Sequence, residues 1–402
     1  MTEFALEGYR VVDFGWVAAG PILGSMLANM GAEVIKVESR TRLDSMRLSP
    51  DNLDKNPEKD PWFHSIHRNK MSITVDMAKP KGVELLKNLV KKSDIVIENF
   101  SPKVMPKFGL EYESLRKVNP KIIMVSLPAT GREGPLSDVI TYGMSLQGLC
   151  GLDGIVGYEG ERVLGMQQAY CDWLSAIIGA YGVVAALYYR NKSGKGQFIE
   201  VAQMEAAISV MNEPVMDYSM NGRIMGTQGN YSPFMAPHGN YPCQGDDKWV
   251  AIAVKTEEEW RSLCKVMGHP PWTEDEKFAD RKKRVENRKE LDAHISEWTK
   301  NYTHYEVMEM LQKVGVAATP CLDMEERFMD PHLQARDVYV PLEHPVTGME
   351  YVTNVPWKMS ETPGGIYRPA PQLGQHNDYV FKELLGMSES EIEQLENEKV
   401  LY

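Results

Sequence analysis

The first third of the chain alternates between short apolar runs and segments long enough for a helix, and few folds accept that pattern. Arg10 to Phe14 (RVVDF) reads as a strand, Gly20 to Met30 as a helix and Glu33 to Val37 (EVIKV) as a second strand. Such a βαβ unit places its strands side by side in a parallel sheet. A similar unit follows, with Ser72 to Val75 extended, Pro80 to Lys92 helical and Asp94 to Ile97 (DIVI) extended; Lys121 to Ser126 (KIIMVS) adds another strand. The expected architecture is α/β, a doubly wound, Rossmann-like domain around a parallel sheet.

At 402 residues the chain exceeds one ordinary core, so more than one domain is expected. From about Asn221 the texture changes to Gly, Pro, Asn and aromatic residues, followed by a strand at Lys248 to Val254 (KWVAIAV). The expected division is a large α/β domain over 1–220, a smaller α+β domain over 221–328, and a segment, 329–402, that returns to the large domain. Glu274 to Lys300 reads as a charged helical stretch whose mixed signs suit a solvated surface. After Ala317 the chain reads as Pro-rich loop until a short amphipathic helix, Ser388 to Asn397.

A net charge of −12 disfavours nucleic acid as a partner, because duplex binding needs a basic face. The segment Trp173 to Tyr189 is the most apolar, but Ser175, Gly179 and Gly182 interrupt it, so a buried helix is expected rather than a membrane span. The start, MTEFALEGYR, lacks the basic and apolar regions of a secretory signal, which makes a cytoplasmic location the expectation. Five scattered cysteines without CxxC or Cys/His spacing point to reduced thiols and to no metal site.

Several places invite chemistry. Gly15 to Pro21 (GWVAAGP) puts small residues where a helix opens after the first strand, which suits either close approach of a phosphate or close helix–sheet packing. Arg40, Arg42, Arg47, Arg68, Lys70, Lys103 and Lys107 can supply cations to a polyphosphate or to a 3′-phosphoadenosine such as that of coenzyme A, or can be ordinary surface charge. The loop Lys192 to Gln197 (KSGKGQ) lacks the spacing of a nucleotide phosphate loop and reads as a turn. Asp172 stands between the loop Leu164 to Cys171 and the apolar segment, where an acid is either an N-cap or a catalyst. Its neighbour Cys171 has no histidine nearby in sequence, since all nine lie outside Arg68 to Pro237, and reads as an inert small residue.

Taken in order, these motifs resemble the class III CoA transferases, the family of formyl-CoA:oxalate and carnitine CoA transferases. The resemblance spans essentially the whole chain. It rests on Val12-Asp13-Phe14 with Ala19-Gly20-Pro21, Gly31 to Glu38 (GAEVIKVE), Asn69 to Ile73 (NKMSI), and Ile97-Glu98-Asn99-Phe100 followed by Gly109-Leu110. Later come Gly194 to Gln197 (GKGQ), Asp330-Pro331-His332 and Pro371 to His376 (PQLGQH).

The resemblance implies that Asp172 is the nucleophile, forming an aspartyl anhydride and then an aspartyl-CoA thioester. It implies CoA thioesters as substrates, no prosthetic group, and an interlocked dimer, either of identical chains or with a paralogous subunit. CoA contacts carry over onto Ala18, Ala19, Val75, Asn99, Phe100 and Lys107. Where formyl-CoA transferase has a glutamine, this chain has Ala18; where it has an arginine, this chain has Ser39, with Arg40 beside it. The covering glycine loop is replaced by Gly226 to Gly245, which contains Tyr231, Phe234, Met235 and Tyr241. These departures suit either a larger, more apolar acyl pocket, fitted to acids of the phenyllactate or benzylsuccinate type with succinyl-CoA as donor, or side chains that simply pack the small domain. The alternatives are an α-methylacyl-CoA racemase-like isomerase, which lacks its upstream histidine in Asp138 to Gly143, and a CoA-binding subunit without chemistry.

Overall fold

In a computed structural model, which describes residues 4–161 and 163–402, the chain forms two compact units. The larger is built from residues up to 153, 165–224 and 337–402; the smaller from 154–164 and 225–336.

The larger unit is organised by six strands: β1 (Arg10–Asp13), β2 (Glu33–Glu38), β3 (Met71–Thr74), β4 (Ile95–Glu98), β5 (Ile123–Ser126) and β6 (Phe198–Glu200). They form one parallel sheet in the order β3-β2-β1-β4-β5-β6, with Val12 paired to Ile35 on one side and Val96 on the other. This is the doubly wound arrangement expected, in which the strand order reverses between β1 and β4 and a crevice opens at the carboxyl ends of those strands.

Both sheet faces are covered, which is why β1 and β4 are apolar at successive positions. Side chains alternate between faces. Val11, Ile97 and Val125 meet α1 (Ala19–Asn29) through Ile22, Leu23 and Leu27, while Val12, Ile35 and Val96 belong to the opposite core with Leu86 and Leu89. After α2 (Pro61–His67), the helix α3 (Pro80–Lys91) carries those leucines. Proline at its first position and buried Leu85, Leu86, Leu89 and Val90 at helical spacing give it a clear start and a single apolar stripe. Truncating Leu89 to alanine is expected to cost about 2–5 kcal/mol.

Three further helices follow β4 and β5: α4 (Val104–Lys107), α5 (Tyr112–Val118) and α6 (Gly143–Leu149). Then comes α7 (Tyr170–Ser193), long and apolar enough by length and composition to cross a membrane. Its inner face, however, lies in the sheet core through Ala176, Ala180, Val183 and Leu187. Gly179 faces Leu23 and Leu127, and Gly182 faces Ile199, at distances that leave little room for a side chain. The helix ends at Gly194, whose φ of +72° supplies the left-handed C-cap.

The segment expected to be loop after Ala317 is more regular than its prolines suggest. It contains short helices Met324–Met329 and Pro331–Ala335 and an antiparallel hairpin, Tyr339–His344 with Gly348–Thr353. Capping by Asp323 and Asp330 defines the helices, and Pro341 is accommodated in a two-stranded ladder that has only one neighbour. The motif Pro371 to His376 lies against the sheet, with His376 N–H donating to Ser72 O and Gly374 N–H to Ser72 Oγ.

In the smaller unit, strands His238–Pro242, Trp249–Ala253 and Ala317–Cys321 form an antiparallel sheet. Its core joins Val250 and Ile252 to Trp260, Leu263, Ile295 and Leu311. The charged helical stretch expected on a solvated surface contains two helices, Arg281–Glu286 and Arg288–Thr299. Asn287, at the break, turns its amide onto the carbonyls of Lys277 and Lys283. Nor is the stretch wholly solvated: Arg284 is fully buried, donating to Glu257 and to the carbonyls of Ala236 and Phe278.

Candidate active site

The crevice at β1 and β4 is walled by the turn after β1. Gly15 N–H donates to Asp13 Oδ1 at 2.8 Å. Trp16 is clamped from β4: its N–H donates to Asn99 Oδ1 and its carbonyl accepts from Asn99 Nδ2, each at 2.8 Å. Gly20 makes the clamp feasible, because a Cβ there would lie 2.7 Å from Gly15 Cα and 2.9 Å from Asn99 Oδ1. Ala18 is the N-cap residue of α1 and has no polar side chain to offer. The first amide of that helix, Ala19 N–H, is instead taken by Asp172 Oδ1 at 3.2 Å.

Asp172 is therefore not the N-cap of its own helix. That helix starts two residues earlier, at Tyr170, with Ala169 as N-cap, because Gln147 on α6 accepts from Tyr170 N–H at 3.0 Å. The Asp172 carboxylate serves α1. Burial pushes its pKa up to about 6, against the lowering effect of the Ala19 and Asp172 amides. Its second oxygen, Oδ2, faces Gly143, where an added Cβ would stand 3.6 Å away. A half-buried carboxylate with one oxygen held by a helix N-terminus and the other beside a glycine has a fixed orientation. Cys171, the adjoining residue, is fully buried, and burial pushes its thiol up to about 12, so it is not a thiolate at neutral pH.

Trp16 also lines a cavity of about 270 Å³. Its apolar wall comprises Trp16, Val37, Val75, Phe100 and Phe108, and Arg42 stands at its edge with its guanidinium 4.8 Å from the Trp16 ring centre. Of the residues expected to contact CoA, Val75 and Phe100 line this cavity and Asn99 clamps its wall. Ala18 and Ala19 lie in the turn between cavity and Asp172. Lys107 is exposed at the end of α4, its ammonium 5.9 Å from the Phe108 ring centre. Arg40 is exposed and donates to Leu373 O at 3.4 Å, outside the cavity lining.

Arg47 and Lys70, read as cations available to a phosphate, are committed elsewhere. Arg47 is buried in a bidentate pair with Glu38 at 2.8 Å, and Lys70 is buried 2.7 Å from Asp13. Arg42, read from the sequence as a cation for a phosphate, does stand at the cavity, whereas Trp16 is the wall residue that sequence reasoning did not single out, although an aromatic in an otherwise small-residue turn was a signal for it. A larger cleft, about 450 Å³, lies in the smaller unit and is lined by Tyr231 and His238 but by neither Asp172 nor the residues expected to contact CoA.

Among the described residues, His64, His344 and Glu350 come close enough to suggest a metal site. Their hydrogen bonds argue otherwise. His344 Nδ1 accepts from the amides of Val346 and Thr347, so its other nitrogen carries the proton, and His64 Nδ1 lies 2.6 Å from Glu350 Oε1. The cluster is a clasp between α2 and the hairpin.

A crevice at a sheet switch point, an apolar cavity edged by arginine and a half-buried carboxylate on a helix N-terminus fit an activated acyl substrate. A family model described as CoA-transferase family III matches residues 6–377. The chain belongs to this family. It is a CoA-transferase, and the family takes CoA thioesters as substrates without a prosthetic group. The chain is 34% identical over 396 residues to succinyl-CoA–D-citramalate CoA-transferase of Chloroflexus aurantiacus, covering 98% of each. It is 31% identical over 403 residues to the beta subunit of succinyl-CoA–L-malate CoA-transferase from that organism, covering 100% of this chain and 99% of the relative. Among solved structures, a CAIB/BAIF family protein from Brucella suis superposes with a TM-score of 0.88 at 30% identity, over 96% of this chain and all of that one. The family resemblance and the α/β architecture expected from the sequence are thereby borne out.

Proposed function

We propose that this CoA-transferase moves CoA from succinyl-CoA to a second carboxylic acid through covalent intermediates on Asp172. The observation that carries the reading is the Asp172 carboxylate itself: raised by burial to about 6, ionised at neutral pH, and oriented by Ala19 N–H with Oδ2 beside Gly143.

The carboxylate oxygen attacks the thioester carbonyl; the C–S bond breaks and CoA leaves as thiolate, giving a mixed aspartyl anhydride. The thiolate then attacks the Asp172 acyl carbon, expels succinate and leaves an aspartyl-CoA thioester. An acceptor carboxylate attacks that thioester, again releasing thiolate and forming a second anhydride. Return of the thiolate to the acceptor's acyl carbon frees acyl-CoA and regenerates Asp172. Each step exchanges one activated carboxyl for another, so neither ATP nor water is consumed. Backbone amides at the start of α1 supply the donors for developing oxyanions. CoA lies in the cavity between Trp16 and Phe100, with Arg42 rather than Arg40 as the cation nearest its phosphates.

Relatives named for citramalate and malate favour a dicarboxylic acceptor. Benzylsuccinate joins two carboxylates to the apolar substituent that Ala18 suggests, and phenyllactate tests the aryl group alone. The relative named as a beta subunit supports assembly with an identical or paralogous chain, and an interlocked dimer is part of the proposal. The experiment is a mass-spectrometric screen of carboxylic acids against succinyl-CoA and acetyl-CoA. New thioesters that disappear in Asp172→Ala support the reading; undiminished exchange in that variant rejects it.

A further inference from the structure

The turn that presents Ala19 N–H to Asp172 passes through a conformation its sequence disfavours. Val17 has φ +64°, in the left-handed region, where a β-branched side chain crowds the backbone. Its N–H donates to Asp44 Oδ1 at 3.3 Å. Asp44 Oδ2 accepts from Lys36 Nζ at 3.0 Å, and the same ammonium donates to Gly15 O at 2.8 Å. The Lys36 and Asp44 side chains are 0% and 1% exposed. Asp44 is itself anchored, since Oδ1 also accepts from Met46 N–H at 3.1 Å.

The pair thus grips the turn on both sides of Trp16, by the carbonyl before it and the amide after it. Lys36 lies within β2, so the grip is referred to the sheet rather than to a loop. The ammonium is kept charged: burial lowers its pKa, but Asp44, Glu38 and Asp13 together outweigh burial and raise it. Only Ala18 separates Val17 from the Ala19 amide that meets Asp172, so a change in Val17 φ swings that N–H away.

We propose that Lys36 and Asp44 are positioning residues for the transfer reaction, holding Val17 in its left-handed conformation so that Ala19 N–H stays aimed at Asp172. This rests on the reading of Asp172 as the nucleophile. A valine released from the pair returns to negative φ, whereas a glycine holds φ +64° unaided. The turn therefore depends on the pair because its residue is the wrong one for its shape.

The test follows exchange of isotopically labelled succinate into succinyl-CoA by the full-length protein. Asp44→Asn is expected to lower kcat by about 10-fold or more with KM for succinyl-CoA changed less than about threefold. The acid limb of its pH profile should move to higher pH, because Asp172 without the Ala19 amide ionises less readily. Adding Val17→Gly to Asp44→Asn should recover most of kcat and return the limb, which a purely structural role for the pair does not anticipate. Where Asp44→Asn does not fold, Lys36→Arg, which keeps the ion pair but displaces the grip, carries the same expectations for limb and rescue. A native kcat and limb in these variants, or no recovery with Val17→Gly, overturns the proposal. Asp172→Asn is measured in parallel. Exchange surviving there rejects the nucleophile reading, while a dead Asp172→Asn beside an unaffected Asp44→Asn rejects only the positioning.

Discussion

Ala19 N–H meets the Asp172 carboxylate at 3.2 Å although 153 residues separate them. One contact therefore joins the helix that opens after the first strand to the start of the longest helix, and it gives each what it lacks. Helix α1 has no side-chain cap, and among the described residues no cation pairs with Asp172.

The raised pKa of Asp172 separates stability from activity. Its carboxyl ionises at about 6 in the folded chain, above its ordinary value of 3.8, so the folded state retains a proton that the unfolded state releases. As pH rises through that window the site increasingly favours unfolding, by up to about 3 kcal/mol above pH 6. Asp172→Asn should therefore raise stability in denaturant titrations at pH 7 by as much as about 2–3 kcal/mol, and not at pH 4. Exchange by the native enzyme should rise with pH through about 6, as the nucleophile ionises.

Lys70 and Asp13, both fully buried, lie 2.7 Å apart beneath the turn. Lys70→Met leaves Asp13 buried and without its cation and should destabilise the fold by about 3–5 kcal/mol. Asp13→Asn added to Lys70→Met should recover part of that loss, an interaction that a double-mutant cycle in denaturant resolves.

The cavity makes separate demands on binding. Trp16→Ala should raise KM for succinyl-CoA by about 10-fold with a smaller effect on kcat, since the indole forms the wall rather than touching the reacting carbonyl. Arg42→Ala should raise KM for CoA esters more than for esters lacking the 3′-phosphate. Equal loss for both, in steady-state kinetics, contradicts the assignment of Arg42 to the phosphates.

Much of the sheet was legible because its strands are short, apolar on both faces and spaced by helices, a pattern that β1, β2 and β4 keep to within a residue or so. Less legible were features set by residues far apart. Asp172 read locally as a cap, but Gln147 starts its helix earlier, and no signal near position 172 reports that. Arg47 and Lys70 read as free cations because a sequence does not display depth; their partners, Glu38 and Asp13, lie on the strands beneath them. The hairpin at Tyr339–His344 was hidden by prolines that suit a two-stranded ladder as well as a loop. Val17 offered no clue at all, since valine is the residue least expected in a left-handed turn.

The proposed transfer requires a covalent bond to Asp172, and trapping measures it directly. The enzyme is incubated with succinyl-CoA and then with hydroxylamine, whose nitrogen attacks the activated Asp172 carbonyl and displaces CoA thiolate or succinate. Peptide mass spectrometry should find the hydroxamate on Asp172 alone, dependent on succinyl-CoA and absent when free succinate replaces it. An enzyme that exchanges CoA between acids while Asp172 stays unmodified contradicts the mechanism.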